Sequence, residues 1–268
     1  MDSHLLDLIQ DIPNEVGIYF IFDKNDQLIY IGKSKHIKKR LVQHFKSTEY
    51  RELKIQKEVT RIEYELLGDE TIALLHESDL IKLHLPKYNR AGRKTKFSFG
   101  LYAEENNEGY LQLIVDKLDP SKNEIMTFIS YAEGKDKLYA LTEKHKLCQK
   151  INLLYKSKGS CFQYQLKECN GACINQEDTE TYNSRVKSLI ASYELPVGEI
   201  FLQVKGRNDT EKGIIYIKDG TYRGFGFCKI NSRSTKGFLK KITMKIENRD
   251  SRRIIKRHIL TKSEHDNS

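Results

Sequence analysis

The sequence lacks the features that would direct a chain into or across a membrane. Its first residues, MDSHLLDLIQDIPNE, have neither a basic start nor a long apolar core, so they are not typical of a signal peptide. No apolar run approaches the length that spans a bilayer. We therefore expect a cytoplasmic protein without a membrane partner.

Repeats and nucleotide-binding loops are also absent. We find no internal repeat and no low-complexity tract. The stretch GFG at 224–226 lacks the strand–turn–helix context of a loop that cradles nucleotide phosphates. The chain of 268 residues is nevertheless long enough to bury a core and to form two compact units.

Positive charge is in excess and is concentrated in blocks. The chain has 46 Lys and Arg against 37 Asp and Glu. Nine basic residues fall in 33–57, five fall in 87–96 without an acid, and eleven fall in 233–262 against two acids. This pattern favours a partner with many phosphates, and nucleic acid is the commonest one. A basic surface that only keeps the protein soluble is the alternative.

The first third of the chain alternates strand and helix patterns. The predicted elements are strands at Val16–Phe22, Leu28–Ile31 and Ile62–Leu66, a helix from Ser34 to about Phe45, and a helix from Asp69 that ends before Pro86. In the first helix, Ile37, Leu41 and Phe45 form the predicted buried stripe. We expect these elements to make a compact α/β domain over residues 1–96.

The rest of the chain, residues 97–268, is predicted to be an α+β region. Alternating stretches indicate a small antiparallel sheet over 97–135, a helical segment over 138–192 contains four cysteines, and strands return over 198–246. The basic segment 87–96 is typical of an exposed connector. The charge of the C-terminal region predicts a DNA-binding surface there.

Two tyrosines flank a predicted hairpin turn. If Phe22 and Gln27 close the hairpin, Tyr19 lies directly opposite Tyr30, and alternation along each strand puts both phenols on one face. The other face then carries the apolar residues Ile18, Phe20, Phe22, Ile29 and Ile31. The tyrosines would therefore point away from the core that the hairpin needs. The alternative is a cross-strand aromatic pair with no chemical role.

Cationic and imidazole side chains follow the second tyrosine closely. Gly32 removes a side chain where the backbone can approach a neighbour, and Lys33 comes directly after it. On the predicted helix, His36, Arg40 and His44 form a stripe with a spacing of four residues. We expect these groups to converge with the phenols at one edge of the domain, although solvation alone explains any single one of them.

Glu77 occupies an unusual place on the helix that begins at Asp69. The residues one turn away from it are Ala73, Leu74, Leu80 and Ile81, whereas the polar side holds His76, Ser78, Asp79 and Lys82. A glutamate rarely lies on an apolar stripe without a partner, because burying an unpaired charge is costly. A structural salt bridge to Lys33 or Arg40 is one explanation. The other is a ligand for Mg²⁺ or Mn²⁺, since magnesium commonly takes one or two protein carboxylates and keeps several waters.

Four of the five cysteines lie close together in the sequence. Cys148, Cys161, Cys169 and Cys173 give the spacing C-x12-C-x7-C-x3-C. In a reducing compartment this favours soft-metal ligation over a disulfide framework. The spacing lacks the paired CxxC knuckles of structural zinc sites and is compatible with a [4Fe–4S] cluster, with zinc and free thiols as the alternatives. Cys228, in a strand-like stretch, is predicted to be a small buried residue.

Several motifs together resemble one family of nucleases. The motifs are GIY at 17–19, YIG at 30–32, GKSKHIKKRL from Gly32, IALLHESDLIK from Ile72 and PKYN from Pro86. They are similar to those of the GIY-YIG nuclease family, and in particular to the nuclease modules of UvrC-type and Cho-type DNA excision-repair endonucleases. The likeness spans about residues 10–96. It implies a small antiparallel sheet flanked by helices.

The resemblance also implies roles for individual residues. It assigns the catalytic tyrosines Tyr19 and Tyr30, the cationic pair Lys33 and Arg40, the metal ligand Glu77, and the site residues His44 and Asn89. His44 stands where UvrC-type members usually carry a third tyrosine, and this is similar to the Cho-type pattern. From the sequence alone, Asn89 is equally well explained as a turn residue after Pro86. For the four cysteines the resemblance implies a [4Fe–4S] cluster.

The function that this resemblance implies is a metal-dependent, structure-selective DNA endonuclease of nucleotide excision repair, which makes the incision 3′ to a lesion. Its cofactor would be Mg²⁺ or Mn²⁺ held by Glu77. Its partners would be a damaged or distorted DNA duplex and either damage-recognition proteins or a separate exonuclease. A branched-DNA or mobile-element nuclease with the same chemistry is one alternative, and a non-catalytic Fe–S DNA-binding subunit is another.

In the expected mechanism, Tyr30 is the phenolate-type general base that acts on water, and Tyr19 is the alternative base. A free phenol has a pKa of about 10, so Lys33 and the metal are expected to stabilise the ionised form. Tyr19 and His44 are expected to position or relay the proton, and Arg40 to hold the scissile phosphate.

Overall fold

The computed structural model describes residues 3–90, 97–195 and 197–266, and it describes 260–266 by their backbone alone. Within this part of the chain, no helix combines the length and the apolar character needed to cross a bilayer.

Two compact units make up the chain, and each is described by itself. The first comprises Met1–Thr95 together with Leu195–Ser268, and the second comprises Lys96–Glu194. The domains predicted from the sequence, 1–96 and 97–268, stay a prediction. Most of the predicted connector lies outside the described residues.

Strands and helices alternate in the N-terminal part of the first unit. In chain order they are α1 (Ser3–Asp7), β1 (Gly17–Asp23), β2 (Leu28–Ser34), α2 (Ile37–Lys46), α3 (Tyr50–Glu58), β3 (Val59–Leu66) and α4 (Glu70–His84). The strands form an antiparallel sheet in the order β2-β1-β3. The predicted antiparallel sheet with flanking helices is therefore confirmed, and α3 is a helix that the sequence pattern did not predict.

Helix α4 has the ends that its sequence predicts. The Asp69 side chain accepts hydrogen bonds from the backbone N–H groups of Thr71 and Ile72, as an N-cap residue does. The helix ends at His84 and is followed by Leu85 in the left-handed conformation, directly before Pro86.

Ser34 does not cap α2 as predicted. The helix begins at Ile37 with His36 at its N-cap, and the Ser34 hydroxyl accepts the His36 backbone N–H at 2.9 Å. A serine side chain can bond the backbone two residues later, which makes a turn instead of a helix cap. The buried stripe of α2 is confirmed, since Ile37, Leu41 and Phe45 are all buried.

The hairpin has a different register from the predicted one. Tyr19 pairs with Gly32 and Ile21 pairs with Tyr30, and a β-bulge then leaves Ile29 as an extra residue in β2. The tyrosines remain on one face because they are diagonal neighbours. The bulge moves Ile29 off the predicted apolar face and into the cluster that holds both tyrosines. The expectation that the tyrosines point away from a core is wrong, because residues of α2 and α3 cover that face.

The second unit is built on a three-stranded antiparallel sheet. Its elements are β4 (Phe99–Glu105), β5 (Leu111–Lys117), β6 (Met126–Phe128), α5 (Tyr131–Lys144), α6 (Phe162–Gln165), a 3₁₀ turn (Ala172–Ile174) and α7 (Thr179–Ser192). The strand order is β5-β4-β6, which confirms the sheet predicted over 97–135. Between α5 and α7 the chain makes short turns instead of one long helix, and Lys167, Gly171 and Asn175 have positive φ there.

The C-terminal part of the first unit adds a second sheet. Its elements are β7 (Glu199–Lys205), β8 (Glu211–Lys218), β9 (Thr221–Lys229), α8 (Thr235–Leu239), β10 (Ile242–Met244) and α9 (Arg249–Asp266). The sheet has the order β10-β9-β8-β7, so the strands predicted over 198–246 are confirmed. Cys228 is buried in β9, as predicted.

Helix α4 packs against this C-terminal part. Its residues Ile72 and Leu75 are fully buried in one cluster with Ile215 and Ile255. The approach is close, because a Cβ added at Gly213 of β8 would lie 2.6 Å from the Ile72 side chain. The C-terminal residues therefore share one core with α4 and with Ile18 of β1, although they are far from both in the sequence.

The polar side of α4 is also an internal contact. The Lys82 ammonium lies 2.5 Å from Asp250 Oδ2, and the Lys245 ammonium lies 3.3 Å from Asp79 Oδ2. These side chains are at most about a quarter exposed. Asp79 and Lys82, on the polar side of α4, thus form ion pairs with the C-terminal part instead of facing water.

Candidate active site

Tyr19 and Tyr30 meet in a buried cluster. Their ring centroids are 6.0 Å apart, and Tyr19 is 1% and Tyr30 8% exposed. Gly32 pairs with Tyr19 across the hairpin, and a Cβ added there would lie 2.4 Å from the Tyr19 Cζ and hydroxyl oxygen. The glycine of the YIG motif is needed because the phenol occupies the place of its side chain.

The surroundings of the two phenols favour Tyr30 as the one that ionises first. Burial raises the pKa of both, and it raises that of Tyr19 well above the ordinary value. The interaction with the other phenol adds to this rise in pKa at Tyr19 and opposes it at Tyr30. The Glu77 carboxylate raises both pKa values, and the Arg40 guanidinium lowers both.

His44 lies beside Tyr30 as a buried imidazole. The centroids of the two rings are 5.0 Å apart, and His44 is 4% exposed. Burial lowers the pKa of His44 to about 4, with Glu52 opposing the change and Arg40 and Arg51 adding to it. The imidazole is therefore neutral at pH 7, and it can donate one hydrogen bond and accept one.

Glu77 contacts the backbone of Lys33, and the ammonium of Lys33 pairs with Glu70. Glu77 is partly exposed, and its Oε1 accepts the Lys33 backbone N–H at 2.9 Å. The Lys33 ammonium lies 2.7 Å from Glu70, which also binds the Lys35 ammonium at 2.8 Å. The Lys33 ammonium, one of the two partners considered for a salt bridge with Glu77, is thus paired with Glu70, and this engages the charge that was expected to stabilise an ionised Tyr30.

Asn89 pairs with the edge of β2 as a neighbouring strand would. Its Oδ1 accepts the Ile31 backbone N–H at 2.8 Å, and its Nδ2 donates to the Ile31 carbonyl at 2.7 Å. The Tyr88 backbone N–H donates to the Ile29 carbonyl at 2.9 Å. The two residues thus bind β2 directly before and directly after Tyr30, at Ile29 and Ile31.

The predicted stripe on α2 is divided between two places. His44 contacts Tyr30, and the exposed Arg40 is close enough to change the pKa of both phenols. His36 is exposed, and its Nδ1 lies 3.4 Å from the Asn14 carbonyl oxygen.

Two residues of α3 belong to this site, although no motif indicated them. Arg51 lies with its Cζ 5.8 Å from the centroid of the Tyr30 ring. Glu52 is buried, and its Oε1 lies 3.8 Å from His44 Nδ1. The signal that could have revealed them is the run of helix-forming residues YRELKIQKE, with the buried Ile55 on its inner side.

The four cysteines of the second unit form a compact cluster. The Sγ atoms of Cys148 and Cys161 are 4.0 Å apart and those of Cys161 and Cys169 are 3.8 Å apart, while Cys148, Cys161 and Cys173 have all their Sγ atoms within 4.8 Å of one another. Burial raises the pKa of Cys148, and it raises that of Cys169 to about 11. Burial opposes ionisation at Cys161 as well, but hydrogen bonds from the Tyr164 backbone and the other thiols bring its pKa below the ordinary value.

Family models match the two regions that hold these clusters. Residues 15–90 match the UvrC-like GIY-YIG domain, and residues 98–192 match the middle domain of the UvrC/Cho excinuclease. The chain belongs to the UvrC-type GIY-YIG family. The C-terminal part of the first unit lies outside both matches.

Relatives of this family cover most of the chain. The UvrABC system protein C of Helicobacter pylori is 35% identical over 204 residues, which are 72% of this chain and 34% of the relative. The UvrABC system protein C of Fervidobacterium nodosum is 29% identical over 185 residues, which are 68% of this chain and 32% of the relative. The chain therefore spans about a third of the length of these relatives.

A solved structure matches the N-terminal part of the chain. It is the GIY-YIG N-terminal endonuclease domain of UvrC from Thermotoga maritima bound to magnesium, its catalytic divalent cation. The match is 31% identical, covers 33% of this chain and 99% of that domain, and has a TM-score of 0.31.

Proposed function

We propose that the chain is a metal-dependent DNA endonuclease that hydrolyses a phosphodiester bond in nucleotide excision repair. The observation that carries the proposal is the packing of Tyr19 and Tyr30 around Gly32, with Glu77 bonded to the backbone of the next residue. This arrangement brings two phenols and one carboxylate from separate elements to one place. Membership of the UvrC-type family supports the same chemistry.

The residues present fit a divalent cation of the magnesium type. Glu77 offers a partly exposed carboxylate close enough to raise the pKa of both phenols. Magnesium commonly needs only one or two protein carboxylates, because water fills its other positions. We propose Glu77 as the ligand of Mg²⁺ or Mn²⁺. When bound, the ion supplies positive charge that stabilises the leaving 3′ oxygen and favours an ionised phenol.

In the proposed reaction, Tyr30 takes a proton from the attacking water. Burial raises the pKa of Tyr30, and the charges of Arg51 and Arg40 and the Tyr19 phenol oppose that rise. These opposing effects make Tyr30 the better general base of the two tyrosines. Tyr19 then acts as the hydrogen-bonding partner of the ionised phenol, and the neutral His44 positions the Tyr30 ring.

The other predicted residues take supporting roles in this proposal. The exposed Arg40 holds the scissile phosphate, since a guanidinium binds phosphate with two parallel hydrogen bonds. Asn89 braces β2. Lys33 orients Glu77 through its backbone N–H, and its ammonium fixes Glu70 at the start of α4.

The substrate and partners are also proposals. We propose incision 3′ to a lesion in a damaged or distorted duplex, after loading by damage-recognition proteins of the kind that the name UvrABC system indicates for the relatives. A separate exonuclease partner and a branched-DNA substrate are the alternatives.

The test is nicking of lesion-bearing, intact and branched duplexes with and without Mg²⁺. We expect Tyr30→Phe and Glu77→Gln to abolish metal-dependent nicking and to leave DNA binding largely unchanged. Tyr216→Phe and Glu104→Gln are matched controls, because each makes the same chemical change at a residue that has another partner, Glu199 for Tyr216 and Lys122 for Glu104. Nicking by either site variant at the parent rate would remove its assigned role, and loss of nicking in the controls would show a non-specific effect.

We further propose that the four cysteines hold a [4Fe–4S] cluster, with zinc as the alternative. All four are soft ligands, and the spacing lacks the paired knuckles of zinc sites. The observed Sγ separations of 3.8 and 4.0 Å match thiols in contact, and also the roughly 3.8 Å between ligands of a tetrahedral zinc ion. Metal analysis after anaerobic purification separates the two: iron with sulfide and visible absorbance supports the cluster, and zinc without colour contradicts it.

A further inference from the structure

Arg51 presents a guanidinium beside the proposed general base. It lies in the first turn of α3 with its Cζ 5.8 Å from the Tyr30 ring centroid. Its side chain is 48% exposed, whereas Tyr30 is almost buried. Arg51 therefore offers a solvent-exposed charge beside a phenol that is itself almost buried.

A buried carboxylate fixes the direction of this guanidinium. The side chain of Glu52 is only 7% exposed, and its Oε1 accepts hydrogen bonds from Arg51 Nε, at 3.0 Å, and from Arg51 Nη2. Among the described residues, these contacts leave Nη1 available for a ligand. Ion pairs at a surface contribute little to stability, and burying a carboxylate is costly, so this pair is poorly explained as a stabilising contact alone.

The charges around Tyr30 come from three helices. The residues that act on it or lie against it are Tyr19 of β1, Arg40 and His44 of α2, Arg51 of α3 and Glu77 of α4. The two guanidinium groups are the cations that lower the pKa of Tyr30, and the effect of Arg51 is the larger. Two arginines on different helices thus flank the same phenol.

We propose that Arg51 is a second phosphate-binding residue of the site, which holds a backbone phosphate of the DNA beside Tyr30 while Glu52 positions its guanidinium. The chemistry is that of a fixed, planar fork of N–H donors, which suits a phosphodiester better than a single ammonium does. The inference rests on the proposed function, because it requires DNA as the substrate. It adds a contact from α3, which lies outside the motifs of the family resemblance.

The salt dependence of DNA binding tests this proposal directly. The affinity of a protein that neutralises Z phosphates of duplex DNA falls with salt with a logarithmic slope of about −0.9 Z. We expect Arg51→Met to reduce the size of that slope by about 0.9 and to weaken binding about tenfold at low salt. Arg51→Lys should keep the slope but recover only part of the cleavage rate, because lysine keeps the charge without the fork. Binding is measured on the full chain in EDTA, which prevents cleavage.

Arg61→Met is the matched control. Arg61 also lies beside an aromatic ring, with its Cζ 3.8 Å from the Phe22 centroid, and also pairs with an acid, Asp26, but its aromatic partner is not a tyrosine of the proposed site. The slope should be unchanged in this variant. Equal slopes for Arg51→Met and the parent would overturn the proposal, and so would an equal loss of slope in the Arg61 control.

Glu52→Gln tests the positioning role. The amide keeps one acceptor for the guanidinium but loses the charge, so the salt slope should persist while the cleavage rate falls. An unchanged cleavage rate would overturn the role of Glu52. If the parent protein itself neither binds nor nicks DNA, the proposed function fails. If the parent binds DNA and Arg51→Met has the same salt slope, only the role of Arg51 fails, so the two outcomes can be told apart.

Discussion

Replacing Gly32 with alanine tests the packing on which the proposed chemistry depends. The added Cβ would lie 2.4 Å from the Tyr19 Cζ and hydroxyl oxygen and 2.8 Å from its Cε1. Non-bonded carbon atoms are in favourable contact at about 3.5–4.0 Å. The Tyr19 ring must therefore move by about 1 Å, or the pairing of β1 with β2 must open.

The expected loss is larger in rate than in stability. Overpacking a filled core lowers the free energy of unfolding by about 1–3 kcal/mol, and Tyr19, at 1% exposure, has little free space into which to move. A displacement of about 1 Å within an active site lowers the rate by about 10²-fold. We therefore expect a protein that still folds but nicks DNA about a hundred times more slowly.

Urea denaturation and nicking, measured on the same preparations, give the two quantities. Gly237→Ala is the control, because a Cβ in that position of α8 would lie 3.5 Å from its nearest neighbour, at an ordinary contact distance. That control should be as stable as the parent or up to about 1 kcal/mol more stable.

A double variant shows whether the clash is the cause. In a Tyr19→Ala background the ring is gone, so the stability cost of Gly32→Ala should fall by about 1 kcal/mol or more. An equal cost in both backgrounds would refute the reasoning. So would a Gly32→Ala protein with parental stability and rate.

Two further predictions concern neighbours of Tyr30. The pKa of His44 is about 4 in the folded protein and about 6.5 in the unfolded chain, so its contribution to stability is present above pH 6.5 and is lost as the pH falls toward 4. When the pH is lowered from 7 to 5, the free energy of unfolding of His44→Phe, measured by urea denaturation, should therefore fall by roughly 2 kcal/mol less than that of the parent. An equal fall in both proteins would contradict this. Asn89→Ala removes both bonds to Ile31 and should lower stability by about 1–3 kcal/mol together with the nicking rate, whereas Asn208→Ala, in an exposed turn, should change neither. Parental stability of Asn89→Ala would show that the pairing does not brace β2.

The sequence predicted the shared face of the two tyrosines, but it predicted neither the register of the hairpin nor the face of Ile29. The observed partner of Tyr19 is Gly32 and the assumed one was Tyr30, two residues away, so the period of two keeps Tyr19 and Tyr30 on one face even though the assumed turn was wrong. Register depends on the turn and on irregularities such as the bulge at Ile29, which no local pattern marked. The correct pairing of Tyr19 with Gly32 explains the motif better than the predicted one.

Contacts between distant segments are the part of the site that the sequence could not supply. Arg51 and Glu52 look like ordinary surface charges in the sequence, and only the packing of α3 brings them to Tyr30 and His44. The Lys33 ammonium adjoins the YIG motif, yet it pairs with Glu70 of another element. The position of Lys33 next to the YIG motif thus predicted that its backbone reaches the site, but it did not predict that its ammonium pairs with Glu70.

Helix α4 shows how a residue that does not fit the local sequence pattern can indicate a candidate functional position. Its apolar period correctly predicted a buried helix, and the rule that polar residues face water then failed, because Asp79 and Lys82 form ion pairs within the unit. Glu77 departs from the same pattern in the other direction, because it is a charged residue on the apolar stripe of the helix. Its carboxylate meets β2 at the Lys33 backbone N–H, so the apolar stripe faces a strand that offers a donor at that point. A charge on the inner side of a helix is costly unless such a partner exists, and so its presence there was the best sequence evidence for a site between α4 and the hairpin.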